Sequence, residues 1–255
     1  MFSVMEVKRE ARASIRSLIA AVILVSFVFV FITQLLSYLS TKVLYGDFDV
    51  FAYFEQMMMG NVMDPPEISP AAELLDMAMS VMSYVLAVGF SYVALFISRR
   101  QKAGVGELFD VFSIFIRALC LVILKNIFIT LWSLLFVIPG LIAAYRYSMA
   151  VFIMLERPDL SIMDCLRESK EMTMGSKGKL FLLDLSFLLW HALSFAVAYI
   201  FIENHILATV LTAIINVFYL PYYQISLANV YNRLCCWRPQ DETIKSDESS
   251  EHLEE

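Results

Sequence analysis

Apolar residues in this chain run together in long blocks instead of alternating with polar ones. Ser17 to Thr41 carries no charged residue, and neither does Met77 to Ser98. A helix needs about 20 apolar residues to cross a hydrocarbon core of roughly 30 Å, so each block suffices alone. Six such helices are predicted, over 17–39, 70–97, 114–137, 141–155, 180–202 and 206–231. Together they make an all-α, polytopic membrane helix bundle over 17–234. Ser69-Pro70 reads as an N-cap followed by Pro in the first turn of helix 2. Pro139-Gly140 reads as the tight turn of a hairpin between helices 3 and 4, because Pro removes a donor and Gly permits a reversal. Pro221 predicts a kink in helix 6. The predicted helix 4 is only about 22 Å long, which sinks the Pro-Gly turn below the outer surface.

The remaining segments are polar or mixed. Residues 1–16 form a basic amphipathic segment, with Val4, Val7, Ala11 and Ile15 at helical spacing and Arg9, Arg12 and Arg16 on another face. Such a helix either lies in the headgroup layer and draws anionic lipid, or is a solvated lead-in to helix 1. The apolar run that follows is too long for the core of a signal peptide and has no small-x-small cleavage site after it, so an uncleaved first helix is expected. The loop 40–69 holds Lys42, five acids and a cluster of Phe, Tyr and Met. Met can bind copper(I), but no His or Cys supports that here. A cytoplasmic amphipathic helix is expected over 161–174, begun by Ser161 with Asp164 three positions on and stopped by Gly175. Small residues four apart in helix 2 (Ser83, Ala87, Ser91) and helix 5 (Ala192 and Ala196, Ser194 and Ala198) suit close helix approach in lipid.

Charge sets the direction of insertion. Of the 19 Lys and Arg residues, Lys42 alone falls in a predicted outer loop. Arg117, Lys125 and Arg146 fall within helices, and the rest flank the predicted inner ends. Basic residues beside the spans hold their side in the cytoplasm, so both termini are expected inside. The net charge of −6 belongs to the tail: Asp241 to Glu255 holds seven acids and one Lys. The tail, 235–255, is expected to be disordered, and its acidity implies no nucleic-acid partner. The four cysteines offer no extracellular disulfide framework. Cys235-Cys236 reads either as an interfacial patch or as a lipidation site.

Ionisable groups inside a bilayer are candidates for function. Lys125 lies 14 residues, about 21 Å, inward of the Pro-Gly turn, and Asp184 lies one turn into helix 5. They either pair at the inner edge of the bundle or snorkel separately. Arg146, between Tyr145 and Tyr147, either pairs with a carboxylate such as Asp76 or Glu203 or meets an anionic lipid headgroup or substrate. His191, His205 and His252 share no metal spacing with Cys or acids. No Walker loop, dinucleotide fingerprint or nucleophile elbow is present. No cofactor and no enzymatic activity are therefore expected. The partners expected are the lipid bilayer, anionic lipid and a protein partner. The rival is a small permease with a polar path near Arg146, Asn216 and Pro221, though no inverted repeat supports it.

From helix 3 onward the residues take on a familiar order. Leu131-Trp132-Ser133-Leu134-Leu135-Phe136-Val137-Ile138-Pro139-Gly140 is followed by Tyr147-Ser148-Met149-Ala150. Then come Glu156-Arg157-Pro158, Glu168-Ser169-Lys170, Met174-Gly175-Ser176-Lys177, Leu185 to Trp190, and Pro221-Tyr222. This resembles a bacterial multipass membrane family catalogued as domain of unknown function nine hundred seventy-five. The resemblance implies a bacterial cytoplasmic membrane and about six helices, and no known activity. The Ile-Pro-Gly turn is also similar to the membrane portion of some glycerophosphodiester phosphodiesterases, which is accessory to their catalytic domain. On physical grounds Tyr147 and Ser148 offer polar atoms to neighbouring helices. Ser169, Gly175 and Lys177 fix the cytoplasmic helix and its return to helix 5.

Overall fold

The computed structural model describes residues 2–46, 56–60, 68–201 and 204–235. The tail and most of the loop 40–69 lie outside these residues, as do Glu203 and the side chain of His205. Among the described residues there is no strand, and six helices are long and apolar enough to cross a membrane.

The chain opens with α1 (Val4–Ser17), breaks at Leu18, and enters α2 (Ile19–Tyr45). The expected first helix ended at 39. It continues because nothing breaks it until Gly46, whose φ of 59° suits glycine. Next comes α3 (Pro70–Ser98), where Ser69 Oγ accepts from Ala72 N at 3.2 Å as the expected N-cap. A short α4 (Val105–Asp110) and a 3₁₀ turn, Val111–Ile114, lead into α5 (Phe115–Leu135).

The hairpin between helices 3 and 4 corrects the expected turn. The reversal occurs at Phe136, which is extended (φ −163°, ψ 155°), and α6 (Val137–Arg146) already contains Pro139 and Gly140. Pro is tolerated in a first helical turn because the N–H groups there have no helical acceptor. Gly140 serves packing instead: a Cβ there would stand 2.8 Å from Ser133 Cα. The predicted helix 4 is itself divided. It stops at Arg146 and resumes as α7 (Ala150–Glu156).

The cytoplasmic helix expected over 161–174 is α8 (Ile162–Met172), with Ser161 Oγ accepting from Asp164 N at 3.1 Å. Gly175 follows with φ of 77°. The fifth predicted helix is also divided, into α9 (Lys177–Leu185) and α10 (Leu188–Ile200) at Ser186-Phe187. The last helix, α11 (His205–Cys235), runs through Pro221.

The spans associate as three antiparallel pairs: α2 with α3, α5 with α6, and α10 with α11. The span Pro70–Ser98 is the most enclosed, and α11 packs on both α3 and α2. Phe29 stacks on Phe90 at 4.5 Å between ring centroids. Gly89 makes the closest approach, since a Cβ there would come 2.1 Å from the Leu108 carbonyl oxygen. The Ser83–Ala87–Ser91 stripe leaves only Ser91 buried.

The amphipathic segment docks into the bundle rather than leaving its apolar face to lipid. Val7 and Ala11 are fully buried. The pairs Glu6 and Glu10 with Arg233, Val7 with Asn229, and Arg12 with Tyr222 show α1 running antiparallel along the C-terminal part of α11. Lys179 on α9 donates to the Phe2 carbonyl at 2.9 Å. Ion pairs tie other elements at the same end of the bundle as α1: Arg99 meets Glu156, and Arg157 meets Glu168. Arg117 donates to the carbonyls of Arg157, Pro158 and Leu160, holding the connection between α7 and α8.

A candidate site at two helix interruptions

Two spans are interrupted, at 147–149 and at Ser186-Phe187, and a third carries Pro221 inside a continuous helix. A helix break frees backbone acceptors, which must be met by other groups. Ser169 does this at the first break: its hydroxyl donates to the Arg146 carbonyl at 2.9 Å and accepts from Met149 N at 3.2 Å. Thr173 stands on the same carbonyl at 3.4 Å. Ser169 thus carries a definite role at the break.

Asp184 sits in the last turn of α9. Its Oδ1 accepts from the Tyr223 hydroxyl at 3.0 Å, and Tyr145 lies beside the same carboxylate. Of the two readings of Lys125 and Asp184, the pair does not form: Lys125 is half-buried on α5 and makes no ion pair or hydrogen bond among the described residues. Tyrosines from α6 and α11 reached the carboxylate first. Spacing gave no signal of this, because the two tyrosines lie about 40 residues to either side of Asp184 in sequence.

Phe187 fills the second break. It is fully buried, with ring centroids of Tyr222, Tyr223 and Tyr219 at 5.1, 5.4 and 5.8 Å. Tyr219 shares a 2.6 Å hydrogen bond with His191 Nε2 and stacks with Trp190 at 6.2 Å. Trp190 and Tyr222 therefore belong to one group of rings, whereas Pro221 faces α2 and α3. Lys8 enters from α1. Its ammonium donates to Ser186 Oγ at 3.0 Å and to the Ser186 carbonyl at 3.4 Å, and lies 4.3 Å from the Phe187 centroid. Burial lowers the Lys8 pKa, and the neighbouring Arg12 guanidinium adds to the effect.

Arg146 stands apart from this cluster. Its guanidinium lies over the Trp132 ring at 5.9 Å, and its Nε is buried without a partner. Asp76, one expected partner, is engaged by the Ser40 hydroxyl instead. Tyr147 packs on Phe128 at 5.8 Å and locks the hairpin. Lys177 begins α9. Beside Pro221 lies a cavity of about 10 Å³, lined by apolar side chains and by Ser26, whose hydroxyl is unpartnered. At most one water fits such a space. On α8, burial pushes the Cys165 thiol pKa up, and Arg117 only partly offsets this. Among the described residues no group of three or more His, Cys, Asp or Glu could hold a metal ion.

No curated protein and no solved structure matches the chain. The model of a family described as a protein of unknown function, DUF975, matches residues 1–144 and 134–236. Those two stretches take in every span and the cluster around Phe187, and the chain therefore belongs to the DUF975 family.

Proposed function

We propose that this chain is a non-enzymatic multipass protein of a bacterial cytoplasmic membrane, with both termini inside. It organises, senses or assists by packing its helices and binding lipid, anionic lipid included, or a protein partner. The observation that carries this reading is the filling of the helix interruptions. Phe187 is fully buried among three tyrosines at the place where a passage would need space. Ion pairs across the inner ends point the same way, since they hold elements together. Intramembrane association in lipid rests on such packing and hydrogen bonding, because lipid tails are as apolar as the helices.

The test is purification in native-lipid discs with mass spectrometry of co-purifying lipids and proteins. A reproducible lipid or protein companion is expected. A bare protein that instead moves a solute into sealed vesicles would sink the reading. Orientation is checked by labelling the tail in sealed cells, where no label should enter from outside.

A second reading, a small-molecule permease, is favoured by one specific observation. Interrupted helices around an ionisable group are how many transporters build a site, and Asp184 lies in the last turn of α9 at one interruption with Tyr145 of a second interrupted span beside it. Cysteine placed at Tyr223 separates the two. A packed organiser leaves it unreactive from both sides, whereas alternating access exposes it to each side in turn.

A further inference from the structure

We propose that the break in the fifth span is a binding site for a primary ammonium group, and that Lys8 is its built-in, displaceable ligand. This goes beyond the organiser reading and does not need it.

The site has the parts that an ammonium requires. Ser186 stands at the end of α9, where helical carbonyls have lost their donors. Its carbonyl and its hydroxyl both accept from Lys8 Nζ, at 3.4 and 3.0 Å. The Phe187 ring lies 4.3 Å away and the Tyr222 ring 5.5 Å, so two aromatic faces meet the cation. The rings are held in place independently of Lys8. Phe187 is wedged among Tyr219, Tyr222 and Tyr223. Arg12 Nε donates to the Tyr222 hydroxyl at 3.0 Å.

The Phe187 wall is held by tyrosines of α11, so it keeps its place when the Lys8 side chain leaves while Arg12, on the same helix as Lys8, still seats α1. Lys8 arrives on a separate amphipathic helix, and it is one contact among several that seat α1. The chemistry of the cage selects a compact ammonium on an alkyl stem. That description fits a phospholipid ethanolamine headgroup and equally a free alkylammonium. Guanidinium, with donors spread in a plane, does not match two acceptors carried by one serine.

The experiment uses the full chain in detergent, with ethylammonium chloride as probe and sodium chloride as the ionic-strength control. Lys8→Ala should melt at a lower temperature than the parent. Ethylammonium should raise that temperature with the logarithm of its concentration, as a ligand of the folded state does, and leave the parent nearly unmoved. Adding Phe187→Leu to Lys8→Ala should abolish the rescue. If Lys8→Ala does not fold, Lys8→Met keeps the stem and removes the charge, and the same rescue is expected.

A second arm compares discs of phosphatidylethanolamine and phosphatidylcholine. Stabilisation of Lys8→Ala by the former identifies the lipid headgroup as the occupant. Rescue by ethylammonium alone identifies a soluble amine. No rescue of either Lys8 variant, or an equal rise in the parent, overturns the proposal.

Discussion

At the scale of residues, close backbone approach marks the positions least able to change. Gly89 faces the Leu108 carbonyl so closely that a methyl group has nowhere to go, whereas Gly106 opens on free space. Overpacking of this kind costs about 1–3 kcal/mol. Gly89→Ala should therefore lower the melting temperature clearly and Gly106→Ala barely, as read by thermal unfolding in detergent. The helix 2 stripe of Ser and Ala flagged the right helix, but the contact falls on the one glycine between them.

The acid at Asp184 makes a second residue-level case. Its partners are Tyr223 and Tyr145, not Lys125. A double-mutant cycle of Lys125→Ala with Asp184→Asn should be additive to within about 0.5 kcal/mol. The cycle of Tyr223→Phe with Asp184→Asn should show a coupling of about 0.5–1.5 kcal/mol. Equal couplings would mean that the tyrosine contact is not what holds the carboxylate.

At the scale of elements, the amphipathic helices α1 and α8 owe their seats to different physics than the spans do. Both have a water side, so burying Val7 or Leu166 is worth up to about 1.5–3 kcal/mol each. The α8 face carries a chemical readout. Cys165 is fully buried and its thiol pKa is raised. The thiolate is the reactive form, so a water-soluble maleimide should label Cys165 only after unfolding. Labelling of the native protein at a rate typical of free thiols would show that α8 is not seated as described.

Two element-level expectations changed for local reasons. Pro139 entered a first helical turn, where it costs no hydrogen bond. The fourth and fifth predicted helices broke without any Pro or Gly at the break. Hydropathy is blind to such breaks, because Tyr147, Ser148 and Met149, and likewise Ser186 and Phe187, suit a bilayer helix in composition. What permits the first break is Ser169, about 20 residues away, which satisfies both freed backbone groups.

At the scale of the molecule, three helical pairs are joined at one end by polar ties. Glu156 ties two elements at once. It meets Arg99 at the end of α3 and accepts from the Tyr231 hydroxyl on α11 at 2.6 Å. Glu156→Ala removes the acceptor of the Tyr231 hydroxyl and one acceptor of Arg99, which keeps Asn232 Oδ1, and hydrogen bonds to charged groups are worth about 1.5–3 kcal/mol. Glu156→Gln still offers Tyr231 an oxygen. The Ala variant should therefore melt lower than the Gln variant, and both below the parent.

Insertion into lipid and the count of six spans follow from sequence alone, because solvent sorting depends on the length and polarity of each segment and on little else. Family membership was legible for a similar reason: motif order is a linear property. The pairing of the spans, the docking of α1, and the gathering of Asp184, Phe187, His191 and the tyrosines around the broken fifth helix came only from tertiary structure. In a chain this apolar every face looks alike to lipid. Which faces meet depends on shape at single residues and on which polar group reaches a freed acceptor, and neither quantity is written into a local pattern.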